Sequence, residues 1–191
     1  LHHPLNLEVI GAEAQHDNMQ SAAYRVIWGF LRKCPASKVR FCIFDPKEGG
    51  GSVRMLSNFV NKMPDSYKRA VTQMSRTEEL LSCLKELEGQ TLDFIRDRPD
   101  YDDLLDYNAH NPRRTEAITL LMLYDFPLNA DARCLELLSS VMQKGNRCGI
   151  YVVLCRNTAV EVASSYDHID EKLAELEKNC VQIECKENGF A

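Results

Sequence analysis

Short apolar runs that end in an aspartate constrain this chain more than any other feature of its sequence. Val39–Phe44 and residues 117–124 are almost continuously apolar, and Asp45 and Asp125 follow them directly. Apolar runs of this length are typical of strands that are covered on both faces, as in a parallel sheet. The sequence therefore predicts a sheet buried between two layers.

Segments with helical periodicity separate these runs. In residues 21–32, for example, Tyr24, Ile27, Trp28 and Leu31 fall on one helical face. Further helices are predicted at 52–61, 76–98, Ala132–Lys144 and 169–178, and further strands at 7–10, 150–155 and 181–185. Alternating strands and helices imply βαβ crossovers, so we expect a three-layer α/β fold with a mainly parallel central sheet.

Single residues mark where several of these elements begin and end. Cys34-Pro35 ends the first helix, because proline disfavours helical geometry in the residue before it. Asp131 is a plausible N-cap, and Gly145 stands where a helix C-terminal glycine belongs. The polar stretch 100–114 is interpreted as a loop inside one domain.

Length and composition limit the classes of protein to consider. With 191 residues, the chain is expected to form a single domain, 1–191, of a larger protein. No apolar run reaches 18 residues and no secretion signal is present, so we expect a cytoplasmic location and no membrane contact from this chain. The eight cysteines form no CxxC pair and are expected to be free thiols. A net charge of −5 argues against coating nucleic acid through bulk electrostatics.

The carboxyl ends of the predicted strands supply the candidate site, because ligands of open parallel sheets bind there. The residues at those ends are Gly11 onward, 45–51, Asp125-Phe126 and Arg156-Asn157. An apolar strand that ends in an aspartate is also what a nucleotide-hydrolysing P-loop protein uses to hold Mg²⁺. Asp125 is the candidate for that role, although strands often end in aspartate for turn or capping reasons.

Four sequence motifs occur in a characteristic order. They are VRFCIFDPKEGG at 39–50, DLLDYN at 103–108, LLMLYD at 120–125 and GNRCGIYVVL at 145–154. Together they resemble the second core strand, the element before Walker B, Walker B itself and the segment before the sensor strand of the FtsK/SpoIIIE DNA translocases. The resemblance implies a RecA-like P-loop NTPase fold. It also implies ATP with Mg²⁺ as the family's cofactor, and neighbouring FtsK-like domains or subunits of a ring as partners.

The phosphate-binding loop departs from that family. A working P-loop reads G-x-x-x-x-G-K-[ST], with a lysine for the phosphates and a hydroxyl for Mg²⁺. Counted from Gly11, His16 replaces the second glycine, Asp17 the lysine and Asn18 the hydroxyl residue. Glu13 and Asp17 would also repel a polyphosphate.

A second register leaves the loop equally incomplete. It places Gln20 and Ser21 at the lysine and serine positions, with no glycine before them. Gly11, Asn18, Ser21 and Asp125 are therefore the candidate nucleotide-binding residues, with Asp125 on Mg²⁺ only if a nucleotide binds. No cofactor is expected to be required.

Two further positions differ from the family pattern. The glutamate that follows the Walker B aspartate is Phe126 here, which cannot orient a water molecule. The threonine-glutamine pair at the end of the sensor strand is replaced by Cys155-Arg156. Since phosphoryl transfer depends on positioned charge, we expect the chain not to hydrolyse ATP on its own.

Other charged residues have a functional and a plain interpretation. Arg147 could act in trans on a neighbouring subunit's nucleotide, or it could interact with the end of a helix. Lys47 with Gly49 to Gly51 could face phosphate or DNA, or could be a surface turn. Arg96, Arg98, Arg113 and Arg114 could form a basic patch, but acidic residues alternate with them and favour a mixed solvated surface.

Three functions remain open from the sequence. The first is a degenerate, non-hydrolysing module that helps to assemble a larger translocase or to engage DNA. The second is an ATP-driven DNA translocase with an atypical nucleotide site. The third is a scaffold domain that binds neither nucleotide nor DNA.

Overall fold

Seven strands form one sheet in the part of the chain that the computed structural model describes. The described residues are 6–47, 61–62, 64–160, 169–186 and 189–190. The strands are β1 (Asn6–Gly11), β2 (Val39–Phe44), β3 (Val71–Met74), β4 (Ile118–Phe126), β5 (Ile150–Asn157), β6 (Cys180–Lys186) and β7 (Gly189–Phe190). The helices are α1 (His16–Lys33), α2 (Asp65–Lys68), α3 (Thr77–Asp97), α4 (Leu104–His110), α5 (Ala132–Lys144) and α6 (Ile169–Glu177).

The strand order shows repeated crossovers. It runs β3-β2-β4-β5-β1-β6-β7, and every pairing is parallel except that of β7 with β6. The first strand of the chain lies inside the sheet, where Leu7 is level with Val153 on one side and Val181 on the other. The prediction of a mainly parallel sheet is confirmed.

Helices cover both faces of the sheet and make three layers. On one face, Ala23 and Ile27 of α1 pack against Phe41 and Met122. On the other face, α3, α5 and α6 enclose the larger apolar cluster, which includes Leu84, Leu138 and Leu173.

The central strand β4 explains why the sheet is buried on both sides. Leu121 and Leu123 face the cluster under α3 and α5, whereas Leu120 and Met122 face α1. All four side chains are at most 1% exposed. Each such burial contributes about 1.5–3 kcal/mol of transfer free energy, so a continuous apolar run is stable only as a strand between two layers.

The first helix begins earlier than predicted, and the face that it buries is not the predicted one. It starts at His16, whereas the periodic pattern began at residue 21, and a 3₁₀ turn (Glu13–Gln15) precedes it. It ends at Lys33, before Cys34-Pro35, as predicted. Trp28, which was placed on the core face, is 53% exposed. The buried residues of α1 are Met19, Gln20, Ala22, Ala23 and Ile27.

The interpretation of 100–114 as a loop is wrong, since it contains α4. Asp103 caps this helix, its side chain accepting a hydrogen bond from the Asp106 backbone N–H at 2.8 Å. Leu104 is 1% exposed and anchors the helix in the core. A single buried leucine in a polar stretch gave no periodic signal.

Two glycines, Gly145 and Gly149, follow the end of α5 and differ in backbone conformation. Asp131 caps this helix as predicted, accepting from the Cys134 backbone N–H. Gly145 keeps right-handed helical geometry and leads into a 3₁₀ turn (Gly145–Cys148), whereas Gly149 adopts the left-handed conformation. The helix therefore ends at Gly145, as predicted, and the left-handed glycine follows four residues later.

One strand was not predicted, and one predicted helix lies almost wholly outside the described residues. The edge strand β3 was not predicted, because only Met74 of its four residues is buried. All but the last residue of the helix predicted at 52–61, and the glycines Gly49 to Gly51, lie outside the described residues.

All eight cysteines are free thiols, as expected. Within the described ranges, no helix is both long and apolar enough to cross a membrane.

The side chain of Glu79 caps the amino end of α3. Its carboxylate accepts hydrogen bonds from the backbone N–H groups of Ser75 and Arg76 at 3.0 and 3.2 Å, and from the Arg76 guanidinium. These bonds, that from Ser75 first, lower the pKa of Glu79 from 4.5 to about 2. A carboxyl group with a lowered pKa stabilises the fold above its unfolded pKa, and this contribution is lost as pH falls through the folded pKa.

We therefore expect Glu79→Gln to lower the free energy of unfolding at pH 7, and we expect the deficit to shrink between pH 4.5 and pH 2. Urea unfolding across this range measures it. Glu78→Gln changes the same charge on the next, exposed residue and serves as the control. A deficit that is independent of pH, or equal for both variants, would contradict the assignment.

Candidate functional site

The carboxyl ends of β1, β2, β4 and β5 meet at one edge of the sheet and bring four polar side chains together. Asp125 ends the apolar part of β4, and Asn157 is the last residue of β5. Lys47 comes from the loop after β2, and Glu13 from the turn after β1. Parallel strands place their carboxyl ends at a common edge, so Glu13 and Asn157, 144 positions apart in sequence, become neighbours.

Asp125 is the buried centre of this cluster. Its side chain has no exposed surface. Its Oδ1 accepts hydrogen bonds from Lys47 Nζ at 3.2 Å and from Asn157 Nδ2 at 3.0 Å. Its Oδ2 lies 3.9 Å from His16 Nε2 and accepts no hydrogen bond from the described residues.

The backbone of Asp125 is also unusual. Its φ of 49° lies in the left-handed region, which few residues other than glycine adopt. The register between β4 and β5 shifts at the same place, between Leu123 and Phe126. Backbone strain of this kind persists where the surrounding contacts determine the conformation, and it is common at functional sites.

Lys47 lies between two carboxylates. Its Nζ is 3.2 Å from Asp125 Oδ1 and 3.3 Å from Glu13 Oε2. Burial lowers the pKa of Lys47, but the hydrogen bonds and charges of Asp125 and Glu13 outweigh it, so the pKa is raised. The ammonium group is therefore held in its charged form.

Glu13 is the outer member of the cluster, with a side chain that is 63% exposed. Asn157 Nδ2 donates to its Oε2 at 2.6 Å. This bond, followed by the contact with Lys47, lowers the pKa of Glu13 below its ordinary value. A single amide thus links Glu13 to Asp125 while Lys47 links the same two carboxylates by charge.

The connection between β1 and α1 is a closed turn. Ala12 N–H donates to Gln15 Oε1 at 3.0 Å, and Gln15 N–H donates to the Ala12 carbonyl oxygen at 2.9 Å. In a P-loop the equivalent N–H groups face the phosphates. Here two of them already have acceptors within the turn, and no lysine lies in it. The residues at this edge therefore do not fit a Mg-nucleotide bound in the usual way.

The structure brings together only two of the four residues predicted to bind nucleotide. Gly11 and Asp125 both lie at the carboxyl edge. Asn18 instead donates to the Lys186 carbonyl oxygen at 3.3 Å, next to β6. Ser21 is exposed on α1. A β-carbon at Gly11 would lie 3.1 Å from Gln15 and Met19, so this glycine allows α1 to approach β1 closely.

Phe126 and Arg156, which the sequence predicted to stand in place of catalytic groups, have structural contacts. Phe126 is 2% exposed and packs in the apolar cluster under α5. Arg156 contacts the buried carboxylate of Glu8 at 3.5 Å and forms an ion pair with Glu177 at the end of α6. Arg156 therefore links β5 to Glu8 of β1 and to the end of α6. The polar group that β5 contributes to the site is Asn157.

Arg147 lies at the opposite edge of the sheet from Asp125, before the amino end of β5. Its guanidinium donates to the backbone carbonyl oxygens of Asp102 and Tyr101, both at 3.1 Å. Within this chain, Arg147 thus fixes the segment that leads into α4.

Two of the four arginines considered as a basic patch, Arg96 and Arg98, are paired with acids, whereas Arg113 and Arg114 are exposed. Arg96 contacts Asp93 and Asp97, and Arg98 forms a two-pronged ion pair with Glu116. Arg98 and three of the acids, Asp93, Asp97 and Glu116, line a cleft of about 370 Å³ at the amino edge of the sheet. Mixed charge in this cleft favours the interpretation as a solvated surface.

The sequence missed the pairing of Lys47 with Asp125 and the bridging role of Asn157. Both residues belonged to the predicted strand ends, but nothing in their local sequence indicated their partners. The adjacency of β2 and β4 was the necessary information, because it places the loop after Phe44 beside the end of β4. No group of three or more potential metal ligands occurs among the residues that the structure describes.

Comparisons with solved structures establish the fold. The cytoplasmic domain of the type VII secretion ATPase EccC from Thermomonospora curvata aligns with 95% of this chain, with a TM-score of 0.65 and 15% identity. ATPases 2 and 3 of EssC from Geobacillus thermodenitrificans align with 94%, at a TM-score of 0.64 and 13% identity. The pCW3 conjugation coupling protein TcpA, solved with ATPγS, aligns with 96%, at 0.65 and 11%.

These similarities confirm the predicted RecA-like P-loop ATPase fold. The chain spans 20%, 31% and 49% of the lengths of the three proteins, so it corresponds to one part of each. No protein-family profile matches the chain, and no curated protein sequence does.

Proposed function

We propose that this chain is a degenerate, non-hydrolysing FtsK/SpoIIIE-like module of a larger translocase-type protein. Its role would be in assembly, through packing against neighbouring ATPase domains or subunits on the cytoplasmic side. The observation that carries this proposal is the ion-pair cluster at the carboxyl edge, where Lys47 is held between Glu13 and Asp125. In an active P-loop protein that place is filled by phosphate and Mg²⁺.

Chemistry at this edge supports the absence of hydrolysis. ATP hydrolysis needs a cation on the phosphates and a group that orients the attacking water. The ammonium of Lys47 is already neutralised by two carboxylates, and Phe126 has no polar atom to offer water. Asp125 is retained, but its Oδ1 is committed to Lys47 and Asn157.

The partners proposed for the module follow from its likeness to multi-domain ATPases. EccC is a type VII secretion ATPase, the EssC structure contains ATPases 2 and 3, and TcpA is a conjugation coupling protein. In each of them the aligned part is a fraction of the chain. A net charge of −5 and the pairing of Arg96 and Arg98 with acids favour contacts with protein over contacts with DNA.

An ATP-driven translocase with an atypical site is the second candidate, because Asp125 keeps both the position and the strained backbone of a functional aspartate. The rate of ATP hydrolysis distinguishes the translocase from the non-hydrolysing module. We expect the purified chain to release phosphate from Mg-ATP more slowly than about 0.001 s⁻¹, against roughly 1–100 s⁻¹ for typical kinases.

The measurement is a coupled phosphate-release assay, with Asp125→Asn as the control for contaminating ATPases. Phosphate release that is abolished by Asp125→Asn would overturn the proposal and support the translocase. Release at the same low level in both proteins is the expected result.

A further inference from the structure

The outer part of the ion-pair cluster differs from its inner part in exposure. Asp125 is fully buried, Lys47 is about one-third exposed, and Glu13 is nearly two-thirds exposed. Glu13 is therefore the more exposed of the two carboxylates that flank Lys47. An anion that comes close to the Lys47 ammonium is repelled by the carboxylate of Glu13, 3.3 Å from Nζ.

We propose that Glu13 is the residue that keeps phosphate groups out of this site, and that Lys47 is the ammonium that a phosphate would contact once Glu13 is neutralised. The inference rests on the proposed function and specifies how the nucleotide position is occupied. The chain would supply both charges itself, with Glu13 in place of a phosphate and Lys47 in place of the missing P-loop cation.

The geometry of Lys47 supports this assignment. An ammonium group has three donors, and here they face Asp125 Oδ1 at 3.2 Å and the two oxygens of Glu13 at 3.3 and 3.4 Å. Loss of the Glu13 charge leaves the contact with Asp125 in place and frees the donors that point toward solvent. Lys47 would then carry a positive charge that Asp125 alone offsets.

Asn157 adds a second donor to the same place. Its Nδ2 donates to Glu13 Oε2 at 2.6 Å and to Asp125 Oδ1 at 3.0 Å. Glutamine at position 13 can still accept this bond through its amide oxygen, so the turn keeps its shape. Glu13→Gln thus removes the negative charge at position 13 and little else. The repulsion between that charge and a phosphate anion is lost with it.

We expect Glu13→Gln to bind inorganic pyrophosphate or ADP at least about tenfold more tightly than the unmodified chain, which corresponds to about 1.4 kcal/mol. Calorimetric titration of the folded protein measures both ligands. Glu136→Gln is the matched control, since it neutralises a carboxylate that is paired with Lys172 and Arg133 on the surface of α5. This control should bind neither ligand more tightly.

Lys47→Met in the Glu13→Gln background should abolish the gain, because the ammonium would be gone. Glu13→Ala provides a second variant if the glutamine form is poorly folded by circular dichroism. The proposal is overturned if neither Glu13 variant binds more tightly than Glu136→Gln, or if the gain persists without Lys47.

Failure of this inference is distinct from failure of the proposed function. Tight pyrophosphate binding by the unmodified chain, without hydrolysis, would overturn the role of Glu13 and leave the non-hydrolysing module intact. Hydrolysis of ATP that depends on Asp125 would overturn the proposed function, whatever the effect of Glu13.

Discussion

Replacing Lys47 with methionine should lower the free energy of unfolding by about 2 kcal/mol, and adding Asp125→Asn should restore most of that loss. Lys47 is the only cation within hydrogen-bond distance of the buried Asp125 carboxylate among the described residues. Removing one partner of a buried ion pair costs about 3–5 kcal/mol, because the other charge is left uncompensated. Since about a third of the Lys47 side chain is exposed, water offsets part of this cost.

A double-mutant cycle in urea measures the coupling between the two residues. Lys68→Met is the matched control, since Lys68 pairs with an 81% exposed Asp65 carboxylate on the surface and its loss should cost about 0.5 kcal/mol or less. If Lys47→Met costs no more than Lys68→Met, or if Asp125→Asn makes the loss larger, the charge on Asp125 is not balanced by Lys47.

Replacing Gly149 with alanine should destabilise the protein by about 2–5 kcal/mol. Gly149 has a φ of 74°, which costs an alanine about 1–2 kcal/mol. Its added β-carbon would also lie 2.3 Å from Leu104 Cδ2, a distance at which the leucine must move. Leu104 is 1% exposed and anchors α4, so the overpacking adds about 1–3 kcal/mol.

Gly89→Ala is the matched control with the opposite sign. Gly89 lies within α3 and has open space where the β-carbon would be, so alanine should stabilise the helix by about 0.5–1 kcal/mol. The midpoint of thermal unfolding should fall for Gly149→Ala and rise for Gly89→Ala. A neutral Gly149→Ala would mean that α4 shifts freely and that Leu104 does not fix it to the turn before β5.

The parallel core could be predicted because its signal is local. In β4 and β5 nearly every residue is apolar, and α5 has a capping aspartate at one end and helical periodicity throughout. Such elements keep the same structure in most contexts. The edge strand β3 and helix α4 could not be predicted, because each contributes a single fully buried residue, Met74 and Leu104.

For the candidate site, the sequence predicted the edge of the sheet but not the contacts there. Apolar runs that end in polar residues indicated Asp125, Asn157 and the loop that holds Lys47. Which of these side chains touch depends on the strand order, and the sequence does not state that β4 lies between β2 and β5. The closed turn at Glu13 depends in addition on Gln15, whose side chain bonds back to the Ala12 N–H.

The location of β1 inside the sheet has a consequence for synthesis of the chain on the ribosome. Leu7 pairs with Val153 and Val181, so the first strand has no sheet partner until more than 140 further residues have been made. At roughly 5–20 residues per second, this leaves an apolar strand without its neighbours for about 7–30 s. Pairings so distant in sequence are also slow to form. The nascent chain must therefore keep β1 from aggregating, through early packing of α1 against it or through a chaperone, until β5 and β6 emerge.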